Sequence, residues 1–517
     1  MMTPETGSRE RLLDVLTWLL VLPVLLISFS NPDLFWHLET AQRMLADGAL
    51  PRSDALSSTM LGAPWVDFEW LVQLIFYGFF KAGGWAGLLI LKAVLLLCAG
   101  ALVWSLGELT GAGKAWRRCI LLFWAALTVI RSELKPELFS VILFSVELWV
   151  LEARRLGVLP GQRVRVWALV SALFFAFWAN LHPGFPAGLA LLACYGLGRD
   201  GWKPVLAALL AGAAGTFLNP YGFKLHAIML EHARWLPVMS RYIMEWRPPL
   251  AANIYQWPLW LLFPAVPLAL GTRIRVTRTV PWPHAAAAVL LGVPALFYSR
   301  QAAFFIPVGL LLLLESGARV AEARPALLAP LRRWAAPLWA LACVAFIGWM
   351  TVPDLRRRRA FDDRIFPAAA ADFIEREMGA FRRKRCYNEW GWGGYLAFRF
   401  RADLRVFMDG RYLFHPLLAE VVEANSSPET WLKLLDRYGV EWALMANQPR
   451  RIKASVPALA LTSGRRETEV PHFAAYMPSS EWTLVYRDPV ALIFIRRGAF
   501  PRDWVGRRRL TLGPGTP

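Results

Sequence analysis

Charge is scarce in this chain: Asp, Glu, Lys and Arg make up 18% of its 517 residues, against 56% that are hydrophobic. With a mean hydropathy of +0.38, that composition excludes an ordinary soluble protein of this size. Cysteine is scarcer still. The five cysteines are Cys98, Cys119, Cys194, Cys343 and Cys386, four of them in or beside apolar runs, and their spacing excludes a disulfide framework or a CxxC metal site. No repeat of convincing period occurs, which argues against a transporter built from halves. No phosphate-cradling glycine loop occurs either. The GWGG at 391–394 reads as the entry to a strand, without the strand-to-helix setting that a dinucleotide or P-loop match needs. Residues 1–10 are polar and no small-residue cleavage site follows them, which predicts a retained first span and not a signal peptide. The net charge of +19 does not point to nucleic acid: much of it sits in short loops between apolar runs, and the RRKR of Arg382 to Arg385 is expected on the wrong side of the membrane for a genome.

What is present is a series of apolar runs fit to cross a bilayer, at 12–30, 84–107, 116–130, 136–153, 166–180, 184–198, 204–217, 253–270, 284–298, 301–316 and 334–352. Trp70 to Ala82 is short for a span. If it does not cross, the basic loops around Arg117, Arg154, Arg199, Arg275 and Arg324 all fall on one side, which the positive-inside rule makes the cytoplasm. The expected fold is therefore an α-helical polytopic membrane bundle of about eleven spans, residues 1–352, with its N-terminus inside and a C-terminal α/β extracytoplasmic domain, residues 353–517. The basic run Arg356 to Arg359 beside the last span suits anionic headgroups. Lys92 and Glu147, the obvious charges within spans, are expected to pair or to snorkel.

In the C-terminal region the pattern predicts helices over 366–379 and 428–439, strands over 393–400, 404–410 and 441–446, and a closing hairpin around Asp488-Pro489. Trp390 and Trp392 read as local packing in preference to a sugar-stacking platform. Asp409 and Arg411 pair with each other or face the membrane site.

The topology collects the unusual residues on the outer face. There lie the loop 31–69, RSELKPE (131–137), NLHPGF (180–185), a second large loop running from LNPYG at 218 through EWRPP to about 253, and YSRQ (298–301). Asp33 and His37 are four apart and share a helix face if the helix restarts after Pro32, with Trp36 and Arg43 near it. Asp67 and Glu69 close the same loop. Taken alone, Asp33 reads as a helix N-cap and His37 as a core histidine. A zinc site from His37, Asp33 and Glu69 lacks a second nearby histidine, so no metal is assigned, although a divalent cation stays open as a cofactor.

The stretch from Asp33 through Trp36-His37-Leu38, Gly48, Pro51 and Asp54 to Glu69-Trp70-Leu71 resembles the first external loop of bacterial polytopic membrane proteins with the GT-C glycosyltransferase architecture. The resemblance runs on through NLHPGF, LNPYG, EWRPP, YNEWGWGGYLAFRF, VFMDGRY and YGVEWAL, and so covers most of the chain. Phe68 stands where that group is expected to carry His. The resemblance implies a bacterial inner-membrane enzyme that moves a sugar from a polyprenyl-phosphate carrier to an acceptor hydroxyl of a glycan, lipid or protein, with inversion, on the outer face. Asp33 would be the base, with His37 and Glu69 as its catalytic neighbours. Arg300 would meet the leaving phosphate first, with Arg241, Arg131 and Lys135 behind it. His182 would shape the site, and Trp36, Asp54 and Asp67 are further substrate-binding candidates. The same face would also serve a non-catalytic or transport protein, a flippase or assembly partner for lipid-linked glycan.

Overall fold

The computed structural model describes residues 4–159, 163–198, 202–249, 254–330, 335–357, 364–448, 451–457 and 465–510. Arg358 and Arg359 of the basic run and Asn253 at the end of the second large loop lie outside the described residues. The chain divides into two units: residues 1–29 with 68–360, and residues 30–67 with 361–517. The first loop thus folds with the C-terminal region, whereas the sequence groups it with the bundle.

Helices α1 (Pro4–Leu25), α2 (Asp33–Asp47), α3 (Trp70–Leu109), α4 (Lys114–Thr128), α5 (Glu137–Arg155), α6 (Val164–Ala179), α7 (Phe185–Tyr195), α8 (Trp202–Gly215), α9 (Phe223–Tyr242), α10 (Trp257–Thr277), α11 (Trp282–Phe297), α12 (Ala302–Ala323), α13 (Pro325–Pro330) and α14 (Ala336–Leu355) follow in chain order. All but α2, α9 and α13 answer to the apolar runs, so the chain is a polytopic membrane protein. By length and composition α3, α10, α12 and α14 can each cross a membrane, and α6, α7, α8 and α11 are shorter apolar helices. Trp70 to Ala82 is helical and joins α3 across a break at Gly83 and Gly84, the latter at φ +57. Its 13 residues reach only about 20 Å at 1.5 Å per residue, against a hydrocarbon core of about 30 Å.

Helix α12 is the pillar of the bundle: 83% of its apolar window is buried, against 22% in α10 and α14, whose outer faces carry exposed leucines and tryptophans fit for lipid. Close approach elsewhere depends on small residues. A Cβ on Gly215 of α8 would overlap the Ala172 carbonyl of α6, and Ser171 Oγ donates to Ala208 O at 2.7 Å. Charge in the spans exceeds the two expected residues. Lys92 is fully buried, donates to the Ile27 carbonyl and lies over the Phe29 ring, so it pairs and does not snorkel. Glu152 and Glu315, which the sequence reading left out, are fully buried in a cluster with Arg155, Arg273, His284 and Tyr195.

In the other unit, α15 (Ala368–Arg376), α16 (Met378–Phe381), β1 (Cys386–Asn388), α17 (Gly393–Phe400), α18 (His415–Ala424), α19 (Pro428–Arg437), β2 (Trp442–Ala446), β3 (Arg451–Pro457), β4 (Arg465–Pro471), α20 (His472–Tyr476), β5 (Trp482–Arg487), β6 (Ala491–Arg496) and α21 (Arg502–Arg508) follow. One sheet runs β1-β2-β6-β5, with β1 parallel to β2 and the other pairs antiparallel. The helix over 428–439, the strand over 441–446 and the hairpin at Asp488 stand as expected. In α19, Trp431, Leu434 and Leu435 bury one face, Ser427 accepts the Thr430 amide at 3.2 Å, and Gly439 stops it at φ +60.

Two expected strands are not strands. Residues 393–400 form helix α17, burying Tyr395, Leu396 and Phe400, and 404–410 run irregularly, with one bridge from Val406 to Ser57. The GWGG therefore follows a strand and opens a helix, contrary to the sequence reading. Its last two glycines are needed for close packing: a Cβ on Gly393 would overlap the Met408 carbonyl. Trp392 Nε1 donates to Ile365 O at 2.7 Å and Trp390 stacks on His415, so both tryptophans pack locally.

Candidate functional site

The bundle holds a cavity of about 280 Å³ where α4 ends and α5 and α12 begin. Leu95, Ala99, Val103, Leu138, Ile142 and Ile306 line its apolar depth, and Arg131, Glu133, Lys135, Glu137 and Glu245 its rim. The rim is assembled from three segments that end or begin helices, where backbone turns free side chains from helix packing. Arg131 closes a 3-10 turn after α4, Glu137 opens α5, and Glu245 stands in a 3-10 turn after α9.

The cations meet through two carboxylates. Lys135 pairs with Glu245, Arg131 lies 4.0 Å from Glu137, and Arg300 lies 3.8 Å from Glu137 and 3.6 Å from Glu245, its guanidinium over the Trp246 ring at 5.3 Å. Arg131 also donates to the Ser299 carbonyl, and Ser299 Oγ donates to Glu245 O at 3.1 Å, which ties YSRQ to EWRPP. The cations Lys135, Arg300 and Arg131 hold the Glu245 carboxyl down at about 2, although burial opposes them. Arg131, Lys135 and Arg300 are thus brought together through Glu137 and Glu245. Arg241 is not: its guanidinium lies over Tyr242, and its carbonyl accepts from Arg247. Glu137, Glu245 and Trp246 were missed as site residues, although RSELKPE and EWRPP carry them in plain view.

Beside the rim, Glu69 approaches His182 at 3.9 Å. His182 Nδ1 lies 2.8 Å from Ser140 Oγ, which accepts from Trp178 Nε1 at 2.7 Å, and Trp70 Nε1 donates to Asn180 Oδ1 at 3.1 Å. These bonds seat NLHPGF against the start of α3.

In the other unit, Asp33 stands in the first turn of α2 but does not cap it. Asn31 Oδ1 accepts the Asp33 amide at 3.1 Å, and the Asp33 carboxylate accepts Trp36 Nε1 at 3.1 Å. Its carboxylate is therefore not committed to the role that the sequence alone favours. His37 is buried against Trp36, ring centroids 3.7 Å apart, and burial pushes its pKa down to about 3, so the ring is neutral at physiological pH. Asp54 accepts from the Leu56 and Ser57 amides, from Ser57 Oγ at 2.6 Å and from Arg411 at 2.7 Å, which makes it a buried staple and leaves little capacity for a ligand. Asp67 is buried as well. Among the described residues, the histidine and carboxylate group within metal-ligating reach is Glu152, His284 and Glu315 in the bundle, and none of the candidates above belongs to it. Arg155 and Arg273 already neutralise both of its carboxylates.

The helical membrane bundle and the α/β unit give the chain the GT-C fold of the solved structures it resembles. Among solved structures it is similar to the Archaeoglobus fulgidus oligosaccharyltransferase tethered to an acceptor peptide, at TM-score 0.61 and 9% identity, covering 96% of this chain and 80% of that one. It is also similar to ArnT from Cupriavidus metallidurans bound to undecaprenyl phosphate, at TM-score 0.52 and 14% identity, covering 96% and 99%. The mycobacterial arabinofuranosyltransferase AftD matches at TM-score 0.51 and 13% identity, covering 94% of this chain and 40% of that one. No family model and no curated protein matches the sequence.

Proposed function

We propose that this protein is an inverting glycosyltransferase that moves a sugar from a polyprenyl-phosphate carrier to an acceptor hydroxyl on the outer face of the bacterial inner membrane. The observation that carries the reading is the cavity, apolar in depth and rimmed by Arg131 and Lys135, with Arg300 against the rim carboxylates Glu137 and Glu245. An isoprenoid tail suits its interior and a phosphate its rim. Arg131 and Arg300 stand 3.6 to 4.0 Å from Glu137 and Glu245, beyond hydrogen-bond reach, so a phosphate gains the two arginines without breaking a short bond to either carboxylate, while Lys135 stays bonded to Glu245. The ArnT structure bound to undecaprenyl phosphate supports that ligand class.

In the reaction Asp33 takes the proton of the acceptor hydroxyl. A carboxylate held at the acceptor hydroxyl serves as the general base. The acceptor oxygen bonds to the anomeric carbon as the carbon–oxygen bond to phosphate breaks through an oxocarbenium-like state, inverting the centre. The leaving polyprenyl phosphate keeps the bonding pair and is stabilised by the rim cations. Neutral His37 packs beside the base without supplying a proton.

The test incubates purified protein with the polyprenyl-phosphate-sugar fraction extracted from membranes of the producing cells, together with the acceptor-bearing glycan, lipid and protein fraction of their envelope. Mass spectrometry then reads free polyprenyl phosphate, and NMR reads the anomeric configuration of the product. Release with inversion is expected. Movement of intact lipid-linked sugar across vesicles, with no release, would instead make the protein a flippase or assembly partner.

A further inference from the structure

The motifs GWGGY and MDGRY lie far from Asp33 in sequence and carry no reacting group in the mechanism above, yet within one unit of the fold MDGRY meets Asp33 and GWGGY meets its neighbours Pro32 and Trp36. Three glycines make that meeting possible. A Cβ on Gly410 would overlap Asp33 Oδ1, and one on Gly394 would stand 2.8 Å from the Pro32 carbonyl and 3.2 Å from Trp36 Cδ1. Gly393, in turn, gives the Met408 carbonyl its room. None of the three has positive φ, so what the site uses is the absent side chain and not an unusual backbone.

The segment holding Gly410 is pinned on both sides. Asn388, at the end of β1, accepts the Phe407 amide at 2.7 Å and donates to Met408 O at 2.9 Å. After Gly410, Arg411 is 1% exposed in its side chain and makes a fork to Asp409, with bonds of 2.7 to 3.0 Å, while its Nη2 reaches Asp54 at 2.7 Å. The guanidinium is also covered by the Trp65 ring at 4.6 Å and the Phe414 ring at 5.4 Å. Asp54 and Trp65 belong to the same loop as Asp33, so the network ties that loop to MDGRY through the residues flanking Gly410. A buried cation shared by two carboxylates tolerates little displacement.

We propose that Gly410, seated by the Asp54–Arg411–Asp409 network and by Gly394, is a positioning residue that fixes the Asp33 carboxylate in its working place. The role of Asp33 as base is taken from the function proposed above. The C-terminal unit then contributes to transfer by geometry, and its two glycine motifs are explained together.

The full-length protein tests this with Gly410→Ala, against Gly391→Ala, whose Cβ would meet nothing within 4 Å. Release of polyprenyl phosphate from the cell-derived donor fraction should fall about 100-fold in Gly410→Ala, the cost of misplacing a reacting group by about 1 Å. The apparent KM for donor and the retention of undecaprenyl phosphate in native mass spectrometry should not change, and Gly391→Ala should stay within twofold of wild type. Release within twofold for Gly410→Ala overturns the proposal. A thermal cycle decides the contact independently of activity. Gly410→Ala should lower the unfolding temperature by several degrees in the Asp33 background and have no such effect beside Asp33→Ala; an equal loss in both backgrounds overturns the contact. If Asp33→Asn kept full release, the function reading would fall while this cycle still decided the seat.

Discussion

Replacing Arg300 by alanine should weaken retention of a lipid phosphate by at least tenfold. Its side chain is 32% exposed, stands 3.6 and 3.8 Å from Glu245 and Glu137, and rests over Trp246. Both distances exceed a hydrogen bond, so these pairs are loose and weakly stabilising. A phosphate in the rim would convert them into charge-assisted bonds worth about 1.5–3 kcal/mol each. Losing one such interaction corresponds to roughly 10- to 150-fold in affinity, and partial exposure puts the expectation near the lower end. The assay is native mass spectrometry of the detergent-solubilised protein titrated with undecaprenyl phosphate, with Arg241→Ala as the comparison. Arg241 stacks on its own neighbour Tyr242 and should change affinity by less than twofold. If Arg300→Ala binds within twofold of wild type, or if Arg241→Ala is the weaker binder, the rim does not hold the phosphate.

Two further outcomes concern stability. Glu315→Gln should destabilise the bundle by about 3–5 kcal/mol, because the buried Arg273 would lose the carboxylate it pairs with and Arg155 would keep only Glu152. At about 2 °C per kcal/mol the unfolding temperature drops by roughly 6–10 °C. A thiol-reactive dye that reports exposure of Cys119, Cys194 and Cys343 measures it, and a drop under about 2 °C would show that the cluster does not hold the helices. The other outcome is acid sensitivity through His37. The unfolded chain takes up a proton below 6.5 and the folded unit not until about 3, so stability falls as pH drops through that window, by about 2 kcal/mol at pH 5. Urea unfolding at pH 7 and pH 5 should show this loss in the wild-type protein and not in His37→Gln; equal slopes would mean that the ring is protonated in the fold.

Much of the bundle was legible in the sequence because the bilayer imposes one rule, about twenty apolar residues per crossing, and each of the eleven apolar runs is a helix. The C-terminal unit was read less well. GGYLAFRF alternates enough to pass for a strand, but its two glycines serve close packing against Met408 and Pro32, and the aromatic residues then bury one helix face. Such tertiary demands leave no local trace. The cluster of Arg131, Lys135 and Arg300 was visible as basic residues interrupting apolar ends. Its carboxylate partners Glu137 and Glu245 were not, since nothing in the spacing of residues 137, 245 and 300 announces that they meet. Asp54 matched a family pattern and was taken as a ligand-binding residue, whereas its oxygens are occupied by Ser57 and Arg411. The buried Glu152 and Glu315 escaped notice because carboxylates near the ends of apolar runs look solvated until their arginine partners are known.

The account stands on Asp33, whose carboxylate accepts the Trp36 indole N–H at 3.1 Å. The decisive measurement is the rate of polyprenyl phosphate release by Asp33→Asn from the cell-derived donor fraction, alongside its retention of undecaprenyl phosphate. The account predicts release lowered by at least 100-fold with retention unchanged, the range that general-base catalysis supplies; undiminished release would contradict it.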